Sequence, residues 1–381
     1  MITAHLPTLR KIIPALLISL CALSPLETFA SITGTSEGMK FKVEKIASGL
    51  GVVWGLALLN QKEMLLTERS GEIKRLNLNT GKIQSLQGAA KVRAAGQGGL
   101  MDVAVQAPFQ AEDWVYFTYT KDQKGKGATT LARAHLEANK LTDWTDLIVT
   151  KSITSTNRHF GSRIAFDGLG HVFFSVGDRG VRRNAQDLAV HAGSILRVNT
   201  DGTVPTDNPF INDKTAQPEI WSYGHRNPQG INFDTASGEL WVIEHGPRGG
   251  DEINQITKGS NYGWATVSFG KEYWGPIAVG EGTQRKGMEN PTKVYIPSIA
   301  PGSLVKYTGH AFPEWQGNLI SGALKLTHLN RVVLDKNNQA IKEERLLEGL
   351  GLRIRALIES PEGWLYFSTD LGDIYRLSPN S

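Results

Sequence analysis

Along most of the chain, apolar and polar residues alternate in short runs cut by Gly, Asn or Asp. Trp54 to Leu59, Glu63 to Glu68, Glu72 to Leu78 and Lys82 to Leu86 read as four strands. Period-two alternation puts one set of side chains on one face of a strand, and Ser70-Gly71 and Asn79-Thr80-Gly81 supply the turns. The unit then returns. Arg163 to Gly168 leads into His171 to Gly177, Gly230 to Asp234 into Gly238 to Glu244, and Arg355 to Ile358 into Gly363 to Ser368 and Gly372 to Leu377. Two weaker copies begin near Leu100 and Ser303. Starts near residues 56, 100, 163, 231, 303 and 355 make six units of about 44 to 72 residues. Four strands repeated at this period predict an all-β fold, a six-bladed β-propeller of four-stranded antiparallel blades. Leu131 to Leu141 carries helix-compatible residues but falls where a blade needs a strand and a turn. The competing arrangement is a β-sandwich array.

The N-terminus breaks the pattern. Arg10 and Lys11 precede an apolar run from Ile12 to Leu23, which ends near Thr28-Phe29-Ala30. A charged segment, a short apolar segment and a small-residue end make a signal peptide over 1–30, too short for an ordinary membrane span. The expectation is a periplasmic or secreted protein with a single propeller domain over 31–381 and no membrane insertion. Cys21 is the only cysteine and lies in this segment, so the remainder has no disulfide. Leu20 before it is not the small residue that a lipid-carrying cysteine requires. Such an exported protein depends on its core or on bound ions.

Composition narrows the classes. Hydrophobic residues at 40% allow a real core and exclude a disordered chain. The 41 glycines follow no period of three, which excludes collagen and assigns them to turns. Removing Arg10, Lys11 and Glu27 takes the formal charge from +4 to +3. No basic block stands out, so no nucleic-acid partner is expected. Thiol catalysis and thiolate metal sites need cysteines that the propeller lacks. There is no His-Glu-x-x-His and no Walker loop. Gly34-Thr35-Ser36-Glu37-Gly38 has nucleophile-elbow spacing without a strand-to-helix setting, and Gly96-Gln97-Gly98-Gly99 lacks dinucleotide spacing.

Polar clusters remain at the blade edges: Gly96 to Leu100, Asn157 to Gly161, Ser222 to Gly230, Glu244 to Asn254, Ser321 to Lys325, and Arg353 to Arg355. Singly, each has a structural reading as a turn, a core histidine or a solvated charge pair. Together, loops of six blades converge on an axis. Arg353 and Arg355 share one strand face, and with Arg226 and Lys325 they suit an anion with several carboxylates. The Gly- and Pro-rich turn His245-Gly246-Pro247 exposes carbonyl oxygens of the kind that Ca²⁺ prefers, and Glu252 and Tyr262 suit a separate ion.

These strings, above all Ser222 to Gly230, Glu244 to Asn254 and Asn261-Tyr262-Gly263-Trp264, resemble the soluble quinoprotein glucose/sorbosone dehydrogenases, in particular their periplasmic aldose sugar dehydrogenase branch. The resemblance runs from about Phe41 to Pro379 and includes Asp207-Asn208-Pro209-Phe210. It implies a six-bladed propeller with pyrroloquinoline quinone (PQQ) and Ca²⁺ near the axis, oxidising the C1 hydroxyl of aldoses to lactones. His159 would be the general base. Gln97, Arg226, Asn227, Ala323, Lys325, Arg353 and Arg355 would bind the cofactor, with Tyr273 in the same pocket. Gly246 and Pro247 carbonyls would ligate the ion at the cofactor, and Glu252 and Tyr262 a second Ca²⁺. Electrons would pass to a soluble or membrane acceptor, from a monomer or homodimer. One departure is Arg158, where relatives tend to carry Asp or Asn, which puts substrate preference in question rather than reaction type. The other classes consistent with the residues are a Ca²⁺-dependent propeller hydrolase of the lactonase kind and a non-enzymatic binding platform.

Overall fold

The computed structural model describes Met1 and residues 31–380, so the expected signal peptide lies, Met1 apart, outside the described residues. Two N-terminal strands open the fold, β1 (Ile32–Ser36) and β2 (Met39–Ala47). Blade 1 follows as β3 (Val53–Leu58), β4 (Glu63–Glu68), β5 (Ile73–Asn77) and β6 (Ile83–Leu86). Blade 2 is β7 (Leu100–Val105), β8 (Trp114–Gln123), β9 (Lys126–Glu137) and β10 (Lys140–Val149). Blade 3 is β11 (Ile164–Phe166), β12 (His171–Val176), β13 (Ser194–Asn199) and β14 (Ile220–Tyr223). Blade 4 is β15 (Pro228–Asp234), β16 (Glu239–Glu244), β17 (Asp251–Ile256) and β18 (Lys293–Tyr295). Blade 5 is β19 (Pro301–Lys306), β20 (Leu319–Ala323), β21 (Leu329–Leu334) and β22 (Ala340–Leu346). Blade 6 has β23 (Ile354–Glu359), β24 (Leu365–Thr369) and β25 (Ile374–Pro379) from the C-terminus.

Each sheet is an antiparallel meander, and the innermost strands β3, β7, β11, β15, β19 and β23 touch in a closed ring. The six-bladed expectation therefore holds, with innermost strands starting close to the anticipated positions. The stretch 131–141 is strand and turn: Leu136 faces Leu141 across the β9–β10 hairpin. What the repeat pattern did not contain is the closure. β2 pairs with β25 in register Phe41 to Pro379 and Lys45 to Tyr375, and β1 adds a fifth strand. Joining the first strands to the last covers an edge that would otherwise be open to pairing. Gly34 to Gly38, with its nucleophile-elbow spacing, is the β1–β2 hairpin. Among the described residues no helix is long and apolar enough to cross a membrane.

The core is a set of apolar layers between neighbouring sheets. Val115, Phe117 and Leu65 pack between blades 1 and 2, Tyr116 and Phe174 between blades 2 and 3, and Trp315, Phe367 and Leu329 between blades 5 and 6. Alternation supplies these layers because each strand sends side chains to both sheet faces.

The axis itself is polar and is held by one side chain. Arg163, buried just before β11, donates from Nη1 to Trp54 O (2.9 Å) and Asp102 Oδ1 (2.9 Å). Its Nε reaches Gln229 O (2.8 Å), and Nη2 reaches Gly302 O (2.7 Å) and Arg355 O (3.1 Å). The guanidinium carbon lies 4.1 Å from the Trp54 ring centroid. Those acceptors belong to blades 1, 2, 4, 5 and 6, so one guanidinium in blade 3 ties the whole ring. Burial pushes the Asp102 carboxyl up and the Arg163 guanidinium down, and their mutual bond opposes both shifts. On one side of this plug, at the C-terminal ends of the innermost strands, lies a wide mouth of about 1290 Å³. Lys306 there is paired with Asp234 and Glu239, and Glu359 accepts the Thr308 amide and hydroxyl. The polar clusters lie on the other side.

Candidate active site

At the opposite end of the axis a cavity of about 270 Å³ is lined by Trp54, Gln97, Phe160, Asn227, Arg353 and Arg355, with Arg69, Met101, Gln229, His245 and Asp370. These residues stand at the starts of innermost strands or at the ends of the strands after them. The loops of every blade are thereby drawn to one place.

His159 sits at this rim, next to Phe160 and Gly161 of the lining. Its amide donates to Gln97 Oε1 (2.7 Å). Its backbone is left-handed, φ 55°, unusual for a non-glycine residue. Gly177 permits this approach, because a Cβ there would lie 2.4 Å from the His159 carbonyl oxygen. The imidazole Nδ1 is 2.7 Å from Asp178 Oδ1, which also accepts the Gly180 amide (2.6 Å). Asp178 Oδ2 accepts Trp264 Nε1 (2.7 Å). With Nδ1–H given to the carboxylate, Nε2 is left as the acceptor nitrogen. Burial pushes the imidazole below its ordinary value; Asp178 pulls it up, and Arg226 and Arg158 push it down again. Burial pushes the Asp178 carboxyl up, but His159, the Gly180 amide and Trp264 together hold the group below its ordinary range. Both directions describe a neutral imidazole beside a carboxylate.

Three guanidinium groups, Arg69, Arg353 and Arg355, face the cavity against one carboxylate, Asp370. Arg355 Nε binds Asp370 Oδ1 (2.6 Å), Arg353 Nε binds Oδ2 (2.9 Å), and Arg353 Nη1 also donates to Leu324 O (2.6 Å). The Arg69 side chain makes no hydrogen bond or ion pair among the described residues. Asn227 Oδ1 accepts the Gly161 amide (3.2 Å) and Gln229 Nε2 (3.3 Å), which fixes both amides in the wall. The net positive lining suits a planar polyanion.

A second, much smaller cavity of about 20 Å³ shares the wall residue His245 with the first and is also lined by Arg226. It has room for one guest the size of a water or an ion. Gly246, Glu252, Tyr262 and Trp264 line it. The Gly246 turn is fixed by Asp251, whose Oδ1 accepts the Gly246 amide (2.8 Å) and whose Oδ2 accepts Ser298 Oγ (2.5 Å) and the Ala300 amide (2.8 Å). A Cβ on Gly246 would lie 2.0 Å from Gly250 O, so only glycine fits. Glu252 stands opposite Glu244 across the β16–β17 pair. Burial, then the Glu244 charge, push its carboxyl up to about 8. Its one hydrogen bond is a long one from Asn254 (3.4 Å), whose own Oδ1 is buried without a partner. Among the described residues no three acidic, His or Cys side chains cluster as a metal site, so a cation here would draw on main-chain oxygens as well.

The structure brings together Gln97, His159, Asn227, Arg353 and Arg355 in the first cavity or on its rim, and Arg226, Gly246, Glu252 and Tyr262 in the second. Pro247 follows in the same turn and packs on Gly270. Three expected residues stand apart. Ala323 is buried in the layer between blades 4 and 5. Lys325 is exposed, one residue beyond the lining residue Leu324. Tyr273 is 66% exposed in the segment between β17 and β18. The Tyr262 hydroxyl is committed to Gln255 O (2.7 Å) and the Thr257 amide (2.8 Å), which leaves its main-chain oxygen for an ion. Sequence reasoning missed Asp178, Arg69 and Asp370. All three follow the second strand of a blade, as His245 does, so superposing the repeats would have marked that position.

The model of the family described as glucose/sorbosone dehydrogenase matches residues 50–376. The chain belongs to the glucose/sorbosone dehydrogenase family. It is 38% identical over 347 residues to the aldose sugar dehydrogenase of Escherichia coli (strain K12), covering 89% of this chain and 93% of that protein. To quinoprotein glucose dehydrogenase B of Acinetobacter calcoaceticus it is 26% identical, covering 93% of this chain and 90% of that one. The crystal structure of the soluble aldose sugar dehydrogenase from Escherichia coli in its apo-form superposes with a TM-score of 0.85 at 36% identity, covering 89% of this chain and all of that one. This glucose/sorbosone dehydrogenase is therefore an oxidoreductase acting on sugars, and the axial cavity beside His159 is where its chemistry is to be sought.

Proposed function

We propose that the protein oxidises the C1 hydroxyl of aldoses to lactones, with PQQ in the axial cavity and Ca²⁺ beside it, and hands the electrons to an external soluble or membrane acceptor. The observation that carries this reading is a base-competent His159–Asp178 pair at the rim of a guanidinium-lined cavity. The name of the Acinetobacter relative supports a quinone, and that of the Escherichia coli relative supports an aldose.

The residues fit both groups. A planar quinone with several carboxylates matches Arg69, Arg353 and Arg355 at the wall, with Trp54, Phe160 and Met101 as apolar surface. Gln97, Asn227 and Arg226 would orient it, and the exposed Lys325 would add charge at the mouth. The Gly246 and Pro247 carbonyls would ligate the ion beside the cofactor. Glu252, with the Tyr262 main-chain oxygen, provides the hard oxygen ligands a Ca²⁺ takes. When bound, the quinone supplies the acceptor for the hydride of C1, and Ca²⁺ supplies charge that polarises it. The chain's own part is the proton. His159 Nε2 takes it from the anomeric hydroxyl, and Asp178 stabilises the imidazolium that forms.

The test is reconstitution. Apoprotein, PQQ, Ca²⁺ and an aldose should together reduce an artificial dye, and omitting quinone or ion should stop it. A protein that binds no quinone would overturn the reading.

Two further outcomes are expected. Arg353→Ala with Arg355→Ala should weaken quinone binding about 10- to 100-fold, because each charge-assisted bond contributes on the order of 1.5–3 kcal/mol and Asp370 already absorbs part of it. Fluorescence titration with the quinone reads this, and unchanged affinity would move the cofactor elsewhere. Ca²⁺ should raise the Tm of the apoprotein, and Glu252→Gln should remove that gain; a gain equal to wild type would dismiss Glu252 as a ligand. The pH dependence follows from its sign. Without a cation the Glu252 pKa lies near 8 when folded and about 4.3 when unfolded, so the folded state holds the extra proton. Ion-free stability then falls as pH rises through that window, and the Ca²⁺-dependent gain in Tm should widen between about pH 6 and 8.

A further inference from the structure

We infer that Arg158 selects aldoses that carry an anionic group, a carboxylate or a phosphate, on the side of the ring away from C1. The inference rests on the reading of His159 as the base.

Arg158 immediately precedes His159, and its side chain lies along Gly180. A Cβ on Gly180 would come within 2.5 Å of the Arg158 Nε and 3.3 Å of its guanidinium carbon. The Gly180 amide donates to Asp178 Oδ1, the same oxygen that holds His159 Nδ1. The guanidinium thus covers the loop that carries the catalytic pair, and its charge is one of those that lower the His159 pKa.

The backbone from which it projects is pinned on both sides. The Arg158 carbonyl accepts Arg179 Nη1 (2.5 Å), and the next amide is held by Gln97. Arg179 in turn stacks on Phe160, 3.4 Å from its ring centroid. The Arg158 side chain itself is exposed and makes no hydrogen bond or ion pair among the described residues. Nearby carboxylates are committed elsewhere: Asp178 to His159 and Trp264, Glu272 to Arg182, and Asp122 to Arg93. Two of its cationic neighbours are spent too, Arg182 in that bidentate pair and Arg179 on main-chain carbonyls.

A sugar whose C1 hydroxyl meets His159 comes within the field of this free charge, which is close enough to act on the imidazole itself. A side chain extending from the residue before the base, over the Gly180 loop, would then meet ring substituents away from C1. A guanidinium fork is matched by a carboxylate or phosphate and not by a single hydroxyl. A neutral aldose leaves that fork to water.

The experiment uses the reconstituted holoenzyme with D-glucose, D-glucuronate and D-glucose 6-phosphate, all of which keep the anomeric hydroxyl. The readout is the ratio of kcat/KM for each anionic sugar to that for glucose. A change in the His159 pKa acts on all three substrates and cancels in this ratio. Arg158→Gln should lower the ratio about five- to tenfold, and Arg158→Glu should lower it further. In the wild type the ratio should shrink as salt is added, because the charge is exposed. A fall confined to glucuronate assigns a carboxylate, and one confined to the phosphate sugar assigns a phosphoryl group. A ratio equal in all three proteins would overturn the inference while leaving glucose oxidation intact. Failure of the wild type to oxidise any aldose would instead overturn the proposed function, and this inference with it.

Discussion

His159→Gln is expected to lower kcat for aldose oxidation by about 10²- to 10⁴-fold, the range a positioned general base supplies. Glutamine keeps the backbone amide that binds Gln97 Oε1, so the loop and the cavity wall should survive, and quinone affinity should change little. What it lacks is a nitrogen lone pair that can accept a proton near neutral pH. Asp178→Asn offers the companion measurement. It removes the carboxylate charge that stabilises the imidazolium and puts an amide where both oxygens accept donors, so kcat should fall as well. It also removes the contribution that raises the His159 pKa, and the acid limb of the pH–rate profile should move to lower pH. In the wild type that limb should already lie below the ordinary histidine value of about 6.5, because burial favours the neutral ring. Near-normal turnover in His159→Gln would remove this residue as the base. An unmoved acid limb in Asp178→Asn would uncouple the pair.

Arg163→Met should cost about 3–5 kcal/mol of stability, read as a lower denaturant midpoint. The loss comes from what the substitution leaves behind rather than from the side chain removed. Asp102 would keep a buried charge with only the Ile164 amide (2.9 Å) and its own sheet neighbours around it. The carbonyls of Trp54, Gln229, Gly302 and Arg355 would lose a shared donor. Lysine should rescue little, since one ammonium cannot reach acceptors in five blades at once. Adding Asp102→Asn to Arg163→Met should restore part of the loss, because it removes the orphaned charge while keeping an acceptor for Ile164. A midpoint unchanged in Arg163→Met would show that the propeller closes without its axial tie. Because Trp54, Gln229 and Arg355 also line the axial cavity, the same variant should loosen binding of the quinone proposed for it.

The blades were legible because their signals are local. Glu63 to Glu68 alternates and is β4, and the run ending at Glu244 is β16. Even Leu131 to Leu141, helical by composition, was settled by its place in the repeat. The closing strand β2 was not legible. Its partner β25 lies more than three hundred residues away, and nothing in Met39 to Ala47 names that partner.

The candidate site divides in the same way. Residue types marked Arg226, Lys325, Arg353 and Arg355 as a cationic set, while His159 was marked only by the family resemblance that the long strings around His225 and His245 carry. Sequence could not separate Arg163, a plug with every donor spent on the blades, from Arg355, a cavity-lining cation, although both stand at the start of an innermost strand. Nor could it pair His159 with Asp178 or show that Arg158 is left free. Alternation and turn chemistry act between near neighbours, so the chain by itself determined the strands, the six repeats and the kinds of chemistry available. Which polar groups meet is decided only when six blades close on one axis and residues three hundred positions apart compete there for the same few hydrogen bonds.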